Sequence, residues 1–141
     1  MHGSLLLEDR LPHKFSKNAA LKPNSFCYKH GKELIYDLTS KELFRRDFGL
    51  KEQIQKAAVS CMSNVAEGFD SDTKHQFIQM LSYAKRSSSE VQSELYVALD
   101  RSYITKEEFE MIYIQAQTVR KLANGFIRYL RTGKPANSLT G

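Results

Sequence analysis

The stretch FIQMLSYAKRSSSEVQSELYVALD, Phe77 to Asp100, decides the fold. Phe77, Leu81, Ala84, Ser88, Val91, Leu95 and Ala98 follow one another at steps of 4, 3, 4, 3, 4 and 3. That is a heptad seam, the spacing at which one face of a helix meets a near-antiparallel neighbour. The helix is predicted from about Asp72 to Asp100, with Asp70 or Ser71 accepting free N–H groups at its start. A partner follows from about Lys106 to Arg131. Phe109, Ile112, Ala116, Val119, Ala123, Phe126 and Leu130 repeat the seam, and Thr105 with Glu108 forms a capping box.

Two helices precede this pair. One is expected from about Gly49 to Glu67, with Leu50, Ile54, Ala57, Ala58, Cys61 and Val65 on one face and Gly68 at a left-handed C-terminal position. The other is expected from about Ser25 to Thr39, although Gly31 inside it costs about 1 kcal/mol against Ala. The joints between the last three helices are short, which makes antiparallel neighbours. No segment alternates with period two for long. The expected fold is all-α, an antiparallel up-and-down four-helix bundle over residues 24–131. An arm, 1–23, precedes it, and a basic tail, 132–141, follows.

The chain has 141 residues, 41% hydrophobic and 26% charged, as suits one globular domain. No run approaches the roughly 20 apolar residues of a membrane span, and no signal peptide is evident, so a cytoplasmic protein without a membrane partner is expected. Cys27 and Cys61 fall on apolar faces and read as free thiols. Catalytic and metal patterns are missing. The four histidines are scattered, no Glu-x-x-His occurs, and the zinc spacings are absent. Ser71-Asp72-Thr73-Lys74 and Ser82-Tyr83-Ala84-Lys85 match Ser-x-x-Lys without its companion motifs. No enzyme, metal or cofactor is expected. Glu90 and Glu94, one turn apart, read as a solvated face or as partners of a neighbour's base rather than as a buried pair.

Charge is the remaining signal. The net charge is +5, and the stretch from Met111 onward holds Arg120, Lys121, Arg128, Arg131 and Lys134 with no acid. Antiparallel packing brings that end toward Lys74. A second group, with Arg45, Arg46 and Lys56, falls at the opposite pole and is diluted by acids. Basic surfaces of this kind neutralise phosphates without reading sequence, so RNA or DNA is the expected partner. The same cations also complement the dipole of the last helix. Met111, Ile114, Leu122 and Tyr129 form a second apolar stripe, read as an interface with further copies of the chain.

The stretch GLKEQIQKAAVSCMSNVAEGF, Gly49 to Phe69, resembles the signature of the four-helix-bundle proteins named for the intervening sequences of bacterial large-subunit ribosomal RNA. That signature runs Gly-Leu, Gln-Ile-x-x-Ala-Ala-x-Ser, then Asn-Ile-Ala-Glu-Gly. Phe77-Ile78, Leu81, Ala84, Ser88-Ser89-Glu90, Glu94 and Tyr103-Ile104 extend the similarity, which covers about residues 25 to 131. The resemblance implies a homopentameric ring with a basic surface that binds RNA or DNA. It also implies a relation to the accessory factor of diversity-generating retroelements, whose partner is a reverse transcriptase. It carries over no catalytic residue, and it makes Asn64, Glu67, Gly68 and Glu90 structural. The chain departs from the pattern in having no Trp and in placing Gln55 where a second basic residue is frequent. Three readings follow: a nucleic-acid-binding oligomer, an adaptor between a reverse transcriptase and its template RNA, and a protein-binding scaffold.

Overall fold

The computed structural model describes residues 26–133, with side chains from Gly31 onward. The expected arm, the tail from Lys134 and the side chain of Cys27 lie outside the described residues. Among the described residues five helices follow one another: α1 (Phe26–Thr39), α2 (Glu42–Arg46), α3 (Phe48–Phe69), α4 (Lys74–Asp100) and α5 (Lys106–Thr132). No strand occurs among the described residues.

The four-helix expectation is corrected by one element, the single turn α2. A one-turn helix is too short to show a period. It is held by Phe44, which is fully buried and stacks on Tyr103 at 5.3 Å between ring centres. Glu42 at its start and Arg45 and Arg46 at its end suit the helix dipole.

α4 packs against α3 on one side and α5 on the other, and α1 closes the fourth side against α3 and α5. Every residue of the α4 seam, Phe77 through Ala98, is buried. Register is fixed by hydrogen bonds across the helices. Ser88 Oγ donates to the Ala116 carbonyl at 2.7 Å, and Gln92 Nε2 donates to the Tyr113 carbonyl at 3.4 Å. Running antiparallel, the start of α4 therefore lies beside the end of α5.

The helix ends differ from expectation at two places. α3 starts with Asp47, whose side chain accepts from Leu50 N, and continues to Phe69, so Gly68 and Glu67 are inside its last turn. Gly68 does not adopt a left-handed conformation. A Cβ there would sit 2.9 Å from Phe77 Cδ2, so glycine is required by the close approach of α4. α4 is capped by Thr73, which accepts from Gln76 N, and not by Asp70 or Ser71. The capping box at Thr105 and Glu108 is present, and Gly133, at φ 71°, ends α5.

Two clusters of buried side chains fill the interior. The first joins Ile35, Leu38, Phe44, Leu50, Ile54, Leu95, Ile104 and Ile112 from all five helices and the α4–α5 joint. The second joins Val65, Phe69, Phe77, Leu81, Phe126, Ile127 and Leu130 from α3, α4 and α5. Phe69, Phe77 and Phe126 form a triad with ring centres 5.1 to 5.9 Å apart. Small residues, Gly31, Ala58, Ser88 and Ala116, line a narrow cleft between the two clusters.

Candidate nucleic-acid interface

The seam between α4 and α5 has a different chemistry at each end. Where the start of α4 meets the end of α5, a polar cleft of about 230 Å³ opens between them. Its walls are Ser82 and Lys85 from α4, and Asn124, Ile127, Arg128, Arg131 and Thr132 from α5. The helix geometry explains the convergence. Arg128 and Arg131 are three residues apart and share a face, and the antiparallel register brings Lys85 opposite them. Ile127 and Leu130, buried in the second cluster, fix that face.

No carboxylate lines the cleft among the described residues. Among the described residues, none of Lys85, Arg128 and Arg131 forms an ion pair; the two bridges found there are Lys41–Glu108 and Arg46–Glu42. Ser82 Oγ donates to the Ile78 carbonyl at 2.8 Å, and Thr132 Oγ1 donates to the Arg128 carbonyl at 2.9 Å. Three cations in a concavity, with no ion-pair partner among the described residues, attract an anion, and guanidinium groups suit phosphate oxygens in particular.

The expected basic residues separate into groups. Arg128 and Arg131 line the cleft. Lys74, the first residue of α4, and Lys121 are exposed on the surface. Lys134 lies outside the described residues. Arg120 is turned inward: its Nη1 donates to the buried Gln92 Oε1 at 2.8 Å, and its Nε is buried without a partner. This corrects its expected place on the basic surface. The arginine is half-buried because Gln92, on the facing helix, offers the acceptor that a buried amide oxygen needs. At the far pole Arg46 is engaged by Glu42 at 2.8 Å, while Arg45 and Lys56 are exposed.

Lys85 escaped the sequence reading. It lies about 35 residues before the acid-free basic run that begins at Arg120, and only the register of α4 against α5 carries it to the basic end. Its seven-residue offset from Gln92, another residue that faces α5, was the available signal.

The other end of the seam carries Tyr96, Phe109 and Tyr113, with ring centres 4.9 to 5.7 Å apart. Glu94 lies one turn before Ala98 and Glu90 one turn before Glu94. Glu90 is exposed, but Glu94 has a buried Oε2 without a partner. Burial, then the neighbouring Glu90 charge, push the Glu94 carboxyl up to about 7. The expectation of a solvated or paired Glu94 is therefore corrected. Glu108 behaves oppositely. Burial raises it, but hydrogen bonds from Lys41 and Thr105 outweigh that and hold its carboxyl below the usual value.

The second apolar stripe of α5 also divides. Met111 and Ile114 are exposed, at 45% and 58%. Leu122 and Tyr129 are half-buried and pack against the second core cluster, which corrects their placement on a free outer stripe. Of the residues given structural roles by resemblance, Gly68 is buried, Asn64 half-buried, and Glu67 and Glu90 exposed. Among the described residues no group of three or more His, Cys, Asp or Glu side chains could hold a metal ion. No described helix is long and apolar enough to cross a membrane.

A family model described as 23S rRNA-intervening sequence protein matches residues 29–125. A solved structure is similar along the bundle: a protein of unknown function from the S23 ribosomal protein family of Bacteroides thetaiotaomicron VPI-5482. The two chains are 22% identical, the match covers 72% of this chain and 94% of the other, and the TM-score is 0.65. That similarity supports the fold alone. No curated protein matches the chain.

Proposed function

The chain belongs to the 23S rRNA-intervening sequence protein family, and we propose on that footing that it is a non-enzymatic, cytoplasmic RNA-binding protein whose contact surface is the cleft between α4 and α5. The observation that carries this reading is the group Lys85, Arg128 and Arg131 in one concavity with no carboxylate in its lining among the described residues. Phosphate neutralisation supplies most of the affinity of such a surface and does not require base reading. Lys74 and Lys121, exposed nearby, extend the positive field. Arg120 does not contribute, because Gln92 holds its guanidinium in the seam.

Self-association belongs to the same proposal. Met111 and Ile114 leave apolar surface on α5 that a second copy would cover. Repeating the cleft in each subunit multiplies weak contacts.

The test is equilibrium binding to a structured RNA. Replacing Lys85, Arg128 and Arg131 together by Gln should weaken binding by about 100-fold while helicity is kept, at roughly 1 kcal/mol per charged contact. Arg120→Gln should bind as the unaltered protein does. Unchanged affinity in the triple variant would contradict the surface.

A further inference from the structure

We infer that the α4–α5 cleft is a pocket for a phosphate monoester at the end of an RNA strand, rather than one stretch of a track along its backbone. The inference rests on the RNA-binding reading above and sharpens what that site takes.

The first observation is concentration of charge. Three cations share one cleft of about 230 Å³, with no acid in its lining among the described residues. An internal phosphodiester carries a single negative charge, whereas a terminal phosphate carries between −1.5 and −2 at neutral pH and offers three strong acceptor oxygens. Two guanidinium forks and an ammonium match the second better than the first. The Asn124 amide, also in the wall, supplies a neutral donor.

The second observation is that fully exposed cations do not continue along the groove next to the cleft. One step beyond the cleft, Arg120 keeps its charge but is turned inward, its Nη1 held by the buried Gln92 Oε1. Further on, the same groove is occupied by the Tyr96, Phe109 and Tyr113 rings, with the half-buried Glu94 on the same stretch of α4. Glu107 and Glu110 are exposed on the opening turns of α5. A strand laid along the groove would take its following phosphates away from the cleft cations and over the aromatic rings. A strand that ends in the cleft and leaves it toward solvent avoids that cost.

Phosphate monoesters also occur on free nucleotides, so the experiment separates the two sources. One RNA oligonucleotide is made with a 5′-phosphate, with a 3′-phosphate, and with hydroxyls at both ends, and binding to the full chain is followed by fluorescence anisotropy. At least one phosphorylated form should bind about tenfold more tightly than the hydroxyl form. That preference should grow from pH 5.5 to 7.5, because the second ionisation of a phosphate monoester lies near 6. It should disappear in the Lys85→Gln/Arg128→Gln variant. Equal affinity of all three RNAs would overturn the terminal pocket while leaving RNA binding intact. Failure of all three to bind would overturn both readings. Displacement of the RNA by adenosine monophosphate at a concentration similar to that of the RNA itself would assign the pocket to free nucleotides and overturn the strand-end reading.

Discussion

The two ends of the α4–α5 pair share one seam and differ in everything outside it. At the first, Phe77, Leu81, Phe126 and Leu130 are buried under Lys85, Arg128 and Arg131. At the second, Val91, Leu95, Ala98 and Ile112 are buried under Tyr96, Phe109, Tyr113 and Glu94. The heptad spacing fixes how the helices meet, and it does so identically at both ends. Chemistry is set by the residues flanking the seam. At the basic end these are cations with no ion pair among the described residues. At the other end two cations are paired locally, Lys41 with Glu108 and Arg46 with Glu42, while Arg45, Arg101 and Lys106 are exposed on the surface. Net charge therefore says little about this molecule, and the location of unpaired charge says much.

The comparison is broken most severely by removing the core beneath one end. Phe126 and Phe44 are both fully buried, one in each cluster. Either truncation to Ala should cost about 3–5 kcal/mol in chemical denaturation. A much smaller loss at Phe126 would mean that the cluster of three helices is not a true core. Gly68→Ala is next. Its Cβ would press on Phe77 at 2.9 Å, and overpacking of this kind costs about 1–3 kcal/mol, measured in the same way. Little loss would mean that α3 and α4 can separate without penalty.

Glu94 sharpens the contrast by its pH dependence. Its carboxyl titrates near 7 in the folded chain and near 4.5 when unfolded. The folded state thus holds more protons between those values, and stability falls as pH rises through that window. Glu94→Gln should flatten this slope and add roughly 1 kcal/mol at pH 8, a value discounted because the carboxyl is only partly removed from water. An unaltered pH profile of the melting temperature in the Gln variant would place the titration elsewhere. Smallest of all is Gly31→Ala. Here a new Cβ would meet nothing closer than Gln115 Oε1 at 4.0 Å, so helix propensity should win by about 0.5–1 kcal/mol. A loss of stability there would show that the cleft between the clusters does not tolerate a methyl group.

Much of the fold was legible because long helices write their packing as a period. The seams of α4 and α5, the capping box at Thr105 and the antiparallel order all follow from spacing. α2 was not legible, since five residues cannot show a period and Phe44 is recognisable only through its contact with Tyr103. Gly68 was read as a helix end because glycine serves both for left-handed turns and for close approach, and sequence does not separate the two. The basic site was half legible. Arg128 and Arg131 stand in an acid-free run, but Lys85 joins them and Arg120 leaves them through tertiary contacts that composition does not encode.

The most direct measurement is the salt dependence of RNA affinity in two charge-matched variants. One carries Lys85, Arg128 and Arg131 changed to Gln, and the other carries Arg45, Arg101 and Lys106 changed to Gln at the opposite end. Each phosphate contact contributes about 0.7–0.9 to the slope of log affinity against log salt. Removing the cleft cations should lower that slope by roughly 2–3, while removing the others should leave it almost unchanged. Equal slopes in the two variants would contradict the account, because binding would then follow net charge and not the cleft.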